Sequence, residues 1–200
     1  MHIICLDFEG VFVPEIWINV SKKTGIEELK LTTRDISDYN VLMKRRLSIL
    51  KTHKITLKDI QNVISTMEPL EGAFDFLRWM KELSIPIIVS DTFQEFAKPL
   101  IEKFNYPPLL CHSLTIDQKG MIVDYNLRIP DAKRKTAQAF KSLNYFVFGV
   151  GDSYNDIAML KEADRGILYR PPKRVMDEFP QFPVTQNYEE LKKKILELIE

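Results

Sequence analysis

In CLDFEGVFV, residues 5–13, an apolar run ends in two carboxylates one residue apart, with a glycine directly behind them. The residues ahead, MHIIC, are short, apolar and partly β-branched, which reads as a buried strand. Asp7 and Glu9 thus stand at the carboxyl end of that strand, where both can face one pocket at the edge of a sheet. What the pocket is for depends on which residues elsewhere in the chain reach the same edge.

The order of elements supplies the frame. After Gly10 the pattern changes period, and residues 15–66 carry helical spacing in several pieces. DYNVLMKRRLSILKTH is the clearest, with Val41, Leu42, Leu47, Ile49 and Leu50 as its expected apolar face and Lys44, Arg45 and Arg46 as a basic segment. TLKDIQNVISTM follows as a second helix with Thr56 as its N-cap. From Glu68 onward strands and helices alternate: IPIIVSD, PLLCHSL, YFVFGVGDS and RGILY read as strands, and 115–128, with DQKG at its turn, as a hairpin insertion. RPPKRVMDEFPQFP reads as a surface connection before a terminal helix, YEELKKKILELI. Such alternation implies an α/β fold, a doubly wound parallel sheet with helices on both faces. The expected organisation is a core of residues 1–13 and 69–200 with an inserted helical cap at 14–68.

Composition narrows the function classes. The chain has 200 residues, 45% hydrophobic, with 28 basic and 28 acidic side chains. That neutrality argues against a nucleic-acid or anionic-membrane partner, each of which favours a basic excess. No apolar run approaches the ~20 residues of a membrane span. No signal peptide is expected, because the strand pattern from His2 soon acquires charges. Cys5 and Cys111 both lie in apolar runs and read as buried reduced thiols, so a cytoplasmic protein is expected. His2, His53 and His112 are scattered and are assigned no role, and Trp17 and Trp79 are expected to pack. There is no G-x-x-x-x-G-K-[ST] segment to hold a nucleotide.

In an open parallel sheet, ligands bind beyond the carboxyl ends of the strands. Four segments put polar groups there: Asp7 and Glu9; Ser90 and Asp91; a helix start with Asp131, Lys133 and Arg134; and GDSYND with Asp152, Asn155 and Asp156. Carboxylates from two strand ends suit a hard cation, Mg²⁺ above others, while a hydroxyl and a lysine supply donors for an anion beside it.

This ordered set resembles the haloacid-dehalogenase superfamily, and within it the phosphoserine phosphatases. CLDFEGVFVPEIW, TTRDISDYNVLMKRRL and GDSYND most resemble the branch described as bifunctional phosphoserine phosphatase/homoserine phosphotransferase, in which glutamate replaces the aspartate after the nucleophile. The resemblance implies that Asp7 attacks phosphorus to form an aspartyl-phosphate. It implies Mg²⁺ held by Asp7, the Glu9 carbonyl and Asp152. Ser90, Lys133 and backbone N–H groups after Asp7 would stabilise the transferring oxygens, and Glu9 would serve as general acid and then base. Asn155 would contact phosphate or substrate, and Asp156 would orient Lys133 or a water on the metal. For the amino-acid end, Glu15 would meet the ammonium and Arg46 the carboxylate; Arg45 is adjacent, and spacing does not choose between them. Ser90 and Asp91 are also placed against substrate.

The implied activity is Mg²⁺-dependent hydrolysis of L-phosphoserine, with phosphoryl transfer to homoserine as a further activity. The alternatives are a receiver-like phosphoacceptor domain and a phosphatase of the same superfamily for another small ester. A nucleophile ending the first strand and a helical cap over it both oppose the receiver. The sequence leaves the oligomeric state open.

Overall fold

The computed structural model describes residues 1–32, 35–36 and 38–199. Its first strand, β1 (His2–Leu6), lies in the middle of one sheet whose strand order is β4-β3-β2-β1-β5-β6-β7. The others are β2 (Ile85–Phe93), β3 (Leu109–Ile116), β4 (Ile122–Asn126), β5 (Phe146–Gly151), β6 (Arg165–Tyr169) and β7 (Val184–Thr185). Among them β3 and β4 pair antiparallel and the other neighbours parallel. From β1 the chain winds outward to β2, β3 and β4 on one side and to β5, β6 and β7 on the other. The crevice where loops diverge therefore opens at the carboxyl ends of β1 and β5, the switch point of an α/β sheet.

Each central strand is apolar on both faces because both faces are covered. Ile4, Leu6, Ile88, Phe148, Val150, Ile167 and Tyr169 point into one cluster, while Ile3, Cys5, Ile87, Val89, Val147 and Leu168 point into the other. The second cluster is roofed by α6 (Ala132–Ser142), α7 (Ile157–Glu162) and α8 (Lys173–Glu178) through Ala137, Leu160 and Val175. The first is covered by α4 (Ala73–Leu83) and α9 (Tyr188–Ile199), and it continues without a break into the helices that follow β1. Among the described residues no helix is long and apolar enough to cross a membrane.

Those helices are α1 (Ile16–Thr24), α2 (Tyr39–Thr52) and α3 (Leu57–Ser65). Val20, Leu29, Met43, Leu50, Ile60 and Ile64 join the same apolar cluster as Leu6. Thr56 is the N-cap of α3, as the sequence indicates, and the structure adds a capping box: Thr56 Oγ1 accepts from the Asp59 N–H at 3.2 Å, and Asp59 Oδ2 accepts from the Thr56 N–H at 2.8 Å. Pro99 sits inside α5 (Gln94–Ile101), where it removes the N–H that would bond to the Glu95 carbonyl. That carbonyl accepts instead from Gln61 Nε2 at 2.9 Å, which ties α3 to α5. The hairpin supports the other end: Leu57 donates its N–H to the Gly120 carbonyl at 2.8 Å, and the Tyr125 hydroxyl is 2.6 Å from Asn40 Oδ1.

Three expectations need correction. Val41 is not on the apolar face of α2; it is 53% exposed, and the buried side chains are Leu42, Met43, Arg46 and Leu50. The Pro-rich 170–183 stretch is more than a surface connection, because it contains α8, which starts behind Pro172 and buries Val175. Proline suits a helix start, where its missing N–H leaves no bond unmade. The short β7 behind it was also not expected, since two residues are too few to show a period.

Candidate active site

The sheet itself positions Asp7. Its N–H continues the β1–β5 ladder to the Val150 carbonyl at 2.9 Å, so the side chain leaves the strand end at a fixed height. Asp7 Oδ1 accepts from the Phe8 N–H at 2.7 Å and lies 2.9 Å from Lys133 Nζ. The next residues form a tight turn in which Gly10, at φ 81°, donates to the Val13 carbonyl at 2.8 Å. A Cβ at Gly10 would collide with the Asp152 carboxylate, so glycine lets the turn close against the β5 loop.

Behind Asp7 the charges are densely paired. Lys133, in the first turn of α6, is 3% exposed and also meets Asp156 Oδ1 at 2.7 Å and Asp91 Oδ2 at 3.5 Å. Burial works against its charge, yet Asp156, Asp7 and Asp91 hold the ammonium well above its ordinary value. Asp156 Oδ2 accepts the N–H groups of Asp152 and Ser153, each at 3.0 Å. Burial, with Asp156 and Asp152 nearby, pushes Asp7 up against the pull of Lys133. Carboxylate oxygens of Asp7, Asp152 and Asp156 lie within 4.8 Å of one another.

In front of Asp7 is a chamber of about 90 Å³ between the sheet edge and the helices. It brings together Asp7, Glu9, Glu15, Arg46, Ser90, Asp91, Asp152 and Asn155. Lys133 and Asp156 are outside its lining and touch Asp7 from behind. Glu9 Oε2 accepts the Ile16 N–H at the start of α1, at 2.7 Å. Burial first, then the charge of Glu15, pushes Glu9 up to about 8 despite that bond and Arg46. Ser90 Oγ accepts the Thr92 N–H at 3.2 Å. Burial alone would raise Asp91, but Lys133, His112 and Asn155 hold it well below the usual carboxylate range. Asn155 Nδ2 donates to Asp91 Oδ2 at 2.8 Å.

The structure distinguishes Arg46 from Arg45. Arg45 is exposed, whereas Arg46 is buried with its guanidinium over the Trp17 ring, 4.4 Å from the centroid. Nη2 donates to the Leu31 carbonyl at 2.7 Å, but the buried Nε has no hydrogen-bond partner among the described residues. Burial lowers the guanidinium to about 10, with Glu9 opposing.

Several lining residues were not foreseen. Trp17 packs edge-on against Phe96, as expected, yet it also walls the chamber and supports Arg46. Tyr39 donates its hydroxyl to the Asp91 carbonyl at 3.0 Å, and Thr32, Leu42, Thr92 and Ser153 complete the lining. His112, assigned no role, is buried 3.7 Å from Asp91. Within TTRDISDYN, Thr33, Arg34 and Ser37 lie outside the described residues.

A strand-end aspartate, a buried lysine bridging acids and a turn closed on a second strand's aspartate also fit what comparison with known proteins finds. The chain matches the haloacid dehalogenase-like hydrolase family over residues 4–164. Phosphoserine phosphatase ThrH of Pseudomonas aeruginosa is 55% identical over 196 residues, 98% of this chain and 96% of that protein. A phosphoserine phosphatase of Pseudomonas syringae pv. tomato is 54% identical, over 98% of this chain and 83% of that one. Among solved structures, a phosphoserine phosphatase in apo form matches with a TM-score of 0.78 at 21% identity, covering 96% of this chain and 97% of that one. A phospho-aspartyl intermediate analogue of phosphoserine phosphatase matches at 0.77 with 20% identity and the same coverage, so the fold is shared with both. Sequence and fold agree: the chain belongs to the haloacid dehalogenase-like hydrolase family.

Proposed function

We propose that this hydrolase is a Mg²⁺-dependent phosphomonoesterase acting on L-phosphoserine through an aspartyl-phosphate on Asp7. The observation that carries the substrate is Arg46: a buried guanidinium that lines the chamber holding Asp7, and whose Nε has no partner among the described residues, fits a small anionic group. A carboxylate on Arg46 and an ammonium beside Glu15 would leave the phosphoryl end at Asp7. The names of the two Pseudomonas relatives support the same substrate.

Asp7 supplies the attacking oxygen, and the displaced serine alkoxide takes a proton from Glu9. Held up to about 8, Glu9 carries that proton at neutral pH. In the second half Glu9, now a carboxylate, takes a proton from the water that splits the aspartyl-phosphate. Lys133, the Ser90 hydroxyl, Asn155 and N–H groups of the turn after Asp7 stabilise the phosphoryl oxygens. Asp156 keeps Lys133 aimed, since it holds the ammonium at 2.7 Å while its other oxygen is anchored by two backbone N–H groups.

The acidic cluster fits a hard divalent ion in donor type and spacing. Asp156 is already bonded to Lys133 and two N–H groups, which favours Asp7 and Asp152, together with the Glu9 carbonyl, as the groups that would hold the ion. When bound, Mg²⁺ would neutralise the repulsion between the Asp7 carboxylate and the phosphoryl group.

Transfer to homoserine shares the first half-reaction and replaces water by an alcohol. Residues 14–68 act as a cap that excludes bulk water from the chamber. The unpaired Cys5 and Cys111 thiols fit a reducing, cytoplasmic setting. The experiment is turnover of a panel of phosphate esters with Mg²⁺, with and without homoserine, by wild type and Asp7→Asn. L-phosphoserine should lead the panel, and the Asp7→Asn protein should be inert; surviving activity would end the covalent mechanism.

A further inference from the structure

A second cavity, of about 610 Å³, reaches the same centre from behind. Tyr39, Asp91 and Asn155 line both spaces, so they form the partition, and Lys133 faces the rear one. His112, on β3, closes the partition on that rear side and is 5% exposed. Its Nδ1 accepts the Arg128 N–H at 3.1 Å. An accepting ring nitrogen carries no proton, so the ring N–H is on Nε2. Nε2 faces Asp91 Oδ1 at 3.7 Å, while Asp91 Oδ2 takes the Asn155 amide at 2.8 Å and lies 3.5 Å from Lys133.

An acid beside a phosphoryl site is a liability unless its charge is tied elsewhere. Lys133 already serves Asp7 at 2.9 Å and Asp156 at 2.7 Å, so Asp91 is the third and most distant claimant. Resting on the phosphomonoesterase reading, we infer that His112 is a positioning residue: it holds Asp91 by one oxygen, and Asp91 thereby aims the Asn155 amide and leaves the Lys133 ammonium to the reaction. Without the Nε2–H, Asp91 turns toward Lys133, closes the 3.5 Å gap and draws the ammonium off Asp7. Asn155 turns with it, since among the described residues its side-chain carbonyl is held by the short Ser153 hydroxyl contact alone, at 2.5 Å.

Two substitutions separate this role from a structural one. In His112→Asn the side-chain carbonyl can still accept from Arg128 but the amide is too short to reach Asp91; in His112→Gln the amide reaches Asp91. Positioning predicts that His112→Asn lowers kcat about tenfold with KM within about twofold, because Arg46 and Glu15 are untouched, and that His112→Gln retains most of the rate. If His112 served only to hold Arg128, the order of the two would reverse, which would overturn the inference. In an Asp91→Asn background, His112→Asn should cost nothing further; losses that multiply would also overturn it.

Kinetics on p-nitrophenyl phosphate and on L-phosphoserine, both with Mg²⁺, keep the two readings apart. A wild type active on the first and not the second defeats the substrate assignment and leaves His112 testable. The ¹⁵N signal of the Asn155 side-chain amide, identified by its loss in Asn155→Asp, reads the same question without turnover. It should move in His112→Asn and return in His112→Gln, and an unmoved signal in His112→Asn contradicts the proposal.

Discussion

Behind Asp7, Lys133 meets three carboxylates and Asp156 accepts three N–H donors, whereas in front of it Arg46 keeps a buried Nε with no partner among the described residues. The rear groups come from strand ends and the helix starts beside them, and they compensate one another within the protein. In front, Glu15, Trp17, Tyr39 and Arg46 come from the helical segment and face strand-end groups across the chamber. The difference teaches where generality and selectivity lie: the rear can serve any phosphoryl group, and the front decides which molecule carries it.

The strongest attack on that contrast is Lys133→Met. Removing one partner of a buried charge network typically costs about 3–5 kcal/mol, because the other charges remain buried and uncompensated. Urea denaturation should show a loss of that size, with turnover abolished. Wild-type stability in the Lys133→Met protein would mean that the rear is not held by its own charges.

Next in size is Glu9→Gln, which sits on the border between the two regions. The Glu9 carboxyl is raised to about 8, so the proton-bearing form dominates below that pH and disappears as pH rises through it. The leaving-group step should therefore slow on the alkaline side of about 8. Glu9→Gln should lower kcat by about 10²–10⁴-fold and erase that inflection. The measurement is a pH–rate profile of both proteins on L-phosphoserine; an alkaline limb that persists in the variant would assign the proton to another group.

Arg46→Lys probes the front alone. Losing the planar fork that suits a carboxylate should raise KM for L-phosphoserine by about 30–100-fold, corresponding to about 2–3 kcal/mol. Turnover of p-nitrophenyl phosphate, which has no carboxylate, should change by less than about threefold. Equal losses on both esters would show Arg46 serving the phosphoryl group and would erase the distinction between front and rear.

The strand-end groups of the site were far more legible in the sequence than those of the helical segment, for a physical reason. Asp7 and Asp152 end apolar strands and Ser90 lies near the end of a third, so a one-dimensional pattern of apolar run and polar residue exposes them. Arg46 required the phase of α2, which is fixed by burial at 42, 43, 46 and 50, and the exposed Val41 misled the apolar pattern by one residue. Trp17 looked like packing because packing is half of what it does. His112 reaches Asp91 from the neighbouring strand, a contact that no local spacing encodes. The short α8 was masked by prolines that punctuate loops and helix starts alike.

The smallest effect belongs to a residue that is in neither region. Thr56 caps α3 and bridges to Met121 of the hairpin, so it anchors the helical segment without touching the chamber. Thr56→Ala should cost about 1 kcal/mol, the usual value of a lost N-cap, and lower Tm by about 2–4 °C. Asp59 adds a pH signature: its hydrogen bonds to Thr56 hold it below the ordinary 3.8 in the folded protein. A depressed folded value stabilises above the unfolded value and loses that contribution as pH falls through the folded one, so the Thr56→Ala penalty should shrink below about pH 4. Thermal melts at pH 7 and pH 3 check this. With the front intact, kcat and KM should stay at wild-type values. A fall in kcat would show that the seating of the helical segment on the hairpin controls the chemistry, which would bind the two halves of the site more tightly than their separate charge networks imply.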